Sequence, residues 1–91
     1  MTPSEFLNDV KTYLRMPAGV TVYDDEVLGL IDSALASLSV AGITGQKRAL
    51  VTEYVKTYVR LAMLQDASPA FRESETERLR QLINQLVYGG A

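Results

Sequence analysis

Ala49-Leu50-Val51-Thr52-Glu53-Tyr54-Val55-Lys56-Thr57-Tyr58-Val59-Arg60-Leu61-Ala62-Met63-Leu64 is the stretch that decides the fold. Wound as a helix, it places Leu50, Val51, Tyr54, Val55, Tyr58, Val59, Leu61 and Ala62 over about half of its circumference, wider than the stripe of ~100° that a surface helix shows. Thr52, Glu53, Lys56 and Arg60 form the opposite edge. A helix this apolar in a chain of 91 residues has to be covered from at least two sides. The expected fold is therefore an all-α, compact four-helix domain around a central helix at about 46–66.

On the carboxyl-terminal side, Ser68-Pro69 pairs a helix-capping residue with the residue best suited to a first helical position. The helix that follows is divided lengthwise. Its second half carries Leu79, Leu82, Ile83, Leu86 and Val87 on one face, and Gly89-Gly90-Ala91 ends it. Its first half, from Arg72 to Arg78, has no large apolar residue, and Arg72 and Glu75 occupy the stripe that later turns apolar. Two readings of this half stay open: a solvated arm held by local pairs, or a surface that meets a neighbouring subunit.

On the amino-terminal side, the second helix is expected from Asp24 to Gly42. Asp24, Asp25 and Glu26 suit a positive helix start, Val27, Leu30, Ile31, Ala34, Leu35 and Leu38 face inward, and Gly42 caps the end with Ile43 folding back. The first helix is expected from Pro3 to Arg15. Thr2 and Glu5 have capping-box spacing, Phe6, Leu7, Val10, Tyr13 and Leu14 share one face, and Met16-Pro17 breaks it. Val20-Thr21-Val22-Tyr23 reads as a small extended element with no visible partner strand. Leu50, Tyr54, Tyr58 and Leu61, with Ile31, Leu35 and Leu82, are expected in the core.

Hydrophobic residues make up 47% of the chain and charged residues 22%, a globular balance. There is no cysteine, which excludes disulfides and thiol nucleophiles, and no histidine, the usual general base near neutral pH and the commonest metal ligand. The composition argues against an enzyme and against a bound metal or other cofactor. A net charge of −2 lacks the basic excess with which nucleic-acid-binding domains displace counterions from phosphates. No apolar run approaches the ~20 residues of a membrane span, and Met1 to Glu5 does not read as a signal peptide. The expected setting is the cytoplasm, or a particle assembled there.

The candidate sites reduce to surfaces. Asp24, Asp25, Glu26 and Asp32 lack the spacing of a calcium loop and read as capping and solvated acids. Asp32-Ser33 resembles the attachment pair of carrier proteins, but here it falls in mid-helix. Gly42 to Gly45 is too short for a phosphate loop. Tyr54 and Tyr58 read as core residues rather than base-stacking platforms. Lys47, Arg48, Lys56 and Arg60 are a basic grouping better suited to an acidic neighbouring subunit than to nucleic acid.

The order of these features resembles the head–tail connector (adaptor, or head-completion) proteins of tailed bacteriophages. The resemblance rests on Val10-Lys11-Thr12-Tyr13-Leu14-Arg15 at the end of a short first helix, and on the acidic start Asp24-Asp25-Glu26. It continues through Leu30-Ile31-Asp32-Ser33-Ala34, the segment from Tyr54 to Arg60, the Ser68-Pro69 break, and a last helix with Arg78, Leu79, Leu82, Ile83 and Leu86. Met16 to Tyr23, which separate the first helix from the acidic start, and the short Gly42 to Gly45 connection depart from the usual pattern.

The resemblance implies a structural virion protein at the head–tail junction, made in the host cytoplasm, without catalysis. It implies a homo-oligomeric ring of twelve subunits under the portal protein, a tail-side completion protein as the next partner, and DNA passing through without sequence-specific binding. The other reading is a small cytoplasmic helical adaptor or regulatory module that binds a partner protein. A ring needs two different faces on each subunit. One is expected on Arg72, Glu73, Glu75, Glu77 and Arg78, and the other on Asp25, Asp32, Lys56 and Arg60.

Overall fold

The computed structural model describes residues 2–17, 19–43, 48–64 and 66–88. A 3-10 turn at Pro3–Phe6 leads into α1 (Leu7–Tyr13), followed by α2 (Asp24–Val40), α3 (Arg48–Met63) and α4 (Pro69–Tyr88). Helix α3 is packed against α1, α2 and α4, and α4 leans chiefly on α3. Contacts along their lengths set the directions. Glu5 meets Arg48 and Tyr13 meets Arg60, so α1 runs parallel to α3. Arg78 meets Glu53 and Arg72 reaches Leu64, so α4 runs antiparallel to it. The Cα envelope measures 38 × 31 × 18 Å, about two helix layers thick.

The element ends follow from their sequences. The Glu5 carboxylate accepts hydrogen bonds from the Thr2 amide (3.3 Å) and hydroxyl (3.1 Å). The Ser68 hydroxyl oxygen accepts from the Phe71 amide at 3.1 Å, with Pro69 in the first helical position. Gly42, at φ 83°, closes α2 while the amides of Gly42 and Ile43 donate to Ser39 and Leu38. Ile43 is buried, so the cap also contributes to the core. Helix α1 ends in the same double-bonded turn. The Arg15 amide donates to Thr12 and the Met16 amide to Lys11, with Arg15 itself at φ 60°.

Phe6 and Val10 meet Val27, Ile31, Ala34 and Leu38 of α2, and Val51, Tyr54, Val55 and Val59 of α3, with Leu82 and Leu86 of α4 closing the cluster. Ile31, Tyr54 and Leu82 are buried as expected, but Leu35, Leu50, Tyr58 and Leu61 are only half-buried. Leu50 and Leu61 sit near the two ends of α3. The Tyr58 ring leans against Tyr54 at 6.1 Å between centroids and extends to the rim. Thr57, a residue not expected inside, is 2% exposed, because α3 is enclosed from three directions and its buried arc reaches round to that side.

Two other expectations need correction. Val20 to Tyr23 form no strand. Thr21 accepts from the Asp24 amide, Val22 and Tyr23 make a turn, and there is no strand among the described residues. Helix α3 stops at Met63, short of the expected 66, and Asp66 lies in a bend before Pro69. The expected start at 46, like Lys47 and the Gly89 terminus, falls outside the described residues.

Candidate subunit interface

Helix α2 carries four acidic residues and no basic one. Asp24 is used internally, its carboxylate accepting from the Lys11 ammonium at 2.8 Å. Asp25 and Asp32 are exposed on the outward side with no ion pair among the described residues, as is Glu26. Of the sequence-derived interface residues, these two acids and the exposed Glu73 stand open to a partner.

The cations expected at the interface have intramolecular company. Lys56 pairs with Glu53 at 3.2 Å, with its ammonium 5.4 Å from the Tyr13 ring centroid. Arg60 lies between two rings, 5.7 Å from the Tyr13 centroid and 5.3 Å from that of Phe71, and its guanidinium donates to the Tyr13 hydroxyl. Arg72 donates to the Leu64 carbonyl at the end of α3, and Arg78 bonds Glu53 at 3.2 Å. Glu77 is held by Arg80, whose hydrogen bonds lower the pKa of Glu77 while Glu77 raises that of Arg80. Glu75 is half-buried, and its Oε2, shielded from water, has no hydrogen-bond partner.

The first half of α4 is thus fastened to α3 by Arg72 and Arg78. Its charged composition serves as a seam between the two helices on one side and as open surface at Glu73 on the other. Sequence reasoning placed Lys11, which shares the apolar face of α1, and Arg15 in the segment that resembles the connector family but gave neither a contact. The available signal for Lys11 was its helical phase beside Leu7, Val10 and Leu14. Among the described residues no group of acids is arranged to hold a metal ion, and no helix is long and apolar enough to cross a membrane.

A family model described as phage connector protein matches residues 6–88, from the first core residue of the turn before α1 to the last residue of α4. The chain belongs to the phage connector protein family. No curated protein and no solved structure matches it. Membership places the chain among structural bacteriophage proteins of the head–tail connector type. For a connector, the relevant chemistry lies in how its surfaces meet other subunits, and the division between fastened and open charges is the feature of this site that bears on it.

Proposed function

We propose that the protein is a non-enzymatic head–tail connector that assembles as a ring of twelve subunits beneath the portal and prolongs the DNA channel toward the tail. The single observation that carries this reading is the family match over nearly the whole helical fold. The charge balance supports it. A chain of net charge −2 with an acidic α2 repels phosphate and favours sliding over gripping, which suits a conduit.

Its partners on this reading are further copies of itself, the portal protein above and a tail-side completion protein below, at the head–tail junction of the virion. The subunit faces include the open acids Asp25, Asp32 and Glu73, the charges Lys56, Arg60, Arg72 and Arg78 along α3 and α4, and the acids Glu75 and Glu77. Opposite charges across such a contact set register and rate more than affinity, and assembly weakens as salt rises. Electron microscopy and mass measurement of the protein mixed with its portal test the proposal. Rings seated on the portal are expected. A stable twofold dimer that ignores the portal would overturn it.

A further inference from the structure

Eight cationic side chains are described, and five of them, Lys11, Arg48, Lys56, Arg78 and Arg80, are tied to carboxylates. The remaining three converge on one place. Arg15 and Arg60 line an open groove of about 710 Å³, together with Leu14, Met16, Met63 and Leu64. Arg72 does not line the groove but stands beside it, its guanidinium donating to the carbonyl of the lining residue Leu64. Arg60 is held by two rings and a phenol, Arg72 by a backbone oxygen, and Arg15 by no side chain among the described residues. This groove thus joins an apolar, methionine-rich floor to guanidinium groups that lack a carboxylate.

The same chain carries the complementary surface. At the start of α2, Val22 is 78% exposed and Tyr23 50% exposed, beside the open carboxylates of Asp25 and Glu26. We infer that the groove receives this turn, Val22 to Glu26, from a second copy of the chain. Val22 and Tyr23 cover the methionine floor, and Asp25 and Glu26 meet Arg15, Arg60 and Arg72. A nucleic-acid backbone fits less well, because phosphates would satisfy the guanidinium groups but leave Leu14, Met16 and Met63 in contact with water. The contact rests on the ring reading and gives it a specific joint: two different patches meet, so each added copy leaves one groove and one acidic turn open for the next.

Single cysteines test the contact, since the chain has none of its own. Met16→Cys and Val22→Cys are placed in separate copies, mixed with the portal protein and oxidised. Leu64→Cys replaces Met16→Cys in a parallel mixture, in case the half-buried Met16 does not tolerate the change. A mixed disulfide that disappears when the Val22→Cys copy also carries Asp25→Lys and Glu26→Lys is the expected result. A mixed disulfide indifferent to those charge reversals overturns the inference. Rings on the portal without a mixed disulfide from either mixture also overturn it, and leave the ring reading standing. A charge-dependent disulfide without rings keeps the contact and removes the ring reading. Loss of DNA binding in Arg15→Glu, with no mixed disulfide, assigns the groove to phosphates and overturns the inference.

Discussion

The ammonium of Lys11 lies 2.8 Å from the Asp24 carboxylate and 2.7 Å from the Val20 carbonyl oxygen, joining the end of α1 to the start of α2 across the connection between them. The lysine side chain is 5% exposed and the aspartate 23%, so water screens the pair only in part. This contact holds the Met16 to Tyr23 connection against the body of the protein, a task the absent strand would otherwise have filled. Removing one partner of a shielded pair leaves the other charge stranded. Lys11→Met is expected to cost about 2–3 kcal/mol in urea unfolding, below the ~3–5 kcal/mol of a fully buried pair because Asp24 is partly open. Lys11→Met combined with Asp24→Leu should recover part of that loss, and a strictly additive double variant would show that the pair is uncoupled.

Core truncations should divide according to burial. Ile31→Ala or Leu82→Ala is expected to lower unfolding free energy by about 2–5 kcal/mol, a large share of the stability of so small a fold. Leu50→Ala should cost less, its side chain being half-buried. Val40→Ser should stay within about 0.5 kcal/mol of the parent, as Val40 is 91% exposed. Denaturant midpoints for the four variants check the order.

The hydroxyls of Tyr54 and Ser37 lie 3.1 Å apart, a polar contact between α3 and α2 at the edge of the core. Tyr54→Phe and Ser37→Ala are each expected to cost about 1 kcal/mol, and the double variant scarcely more than either, since one hydrogen bond is lost in all three. A double-mutant cycle by thermal unfolding measures the coupling.

The organisation of the fold was largely legible in the sequence, and the reasons are local. Ser68 before Pro69, Gly42 before Ile43 and Thr2 three residues before Glu5 are backbone chemistry that neighbours decide, and all three act in the structure. What escaped was decided over distance. Thr57 is buried because three helices surround α3, while Val20 to Tyr23 turn because Lys11 and Asp24 draw the connection in. The charges of the expected interface were harder to read for the same reason. The alternation from Arg72 to Arg78 does not reveal that two of its arginines reach α3, and no spacing rule brings Arg15 to Arg60.

At the amino terminus, hydrogen bonds from Thr2 and then from Arg48 hold the Glu5 carboxyl below the usual carboxylate range. A lowered native pKa means that the group contributes stability above its unfolded pKa, and that the contribution is lost as pH falls through the native value. The turn at Pro3–Phe6 should therefore loosen on acidification before the core does. Glu5→Gln should remove that step. Amide exchange at Glu5 and Phe6 across an acid titration reads it directly, and an acid response unchanged in Glu5→Gln would count against the assignment.

The turn that ends α1 puts Arg15 in the left-handed conformation at φ 60°, where Gly42 performs the matching task for α2. An L-residue with a side chain is disfavoured there by roughly 1 kcal/mol relative to glycine. Arg15→Gly should accordingly raise the melting temperature of the isolated protein while depriving the groove of one of its cations. Stability and assembly then respond to the same substitution with opposite signs. A thermostability screen run on the free subunit would enrich Arg15→Gly, and a screen for infectious particles would discard it.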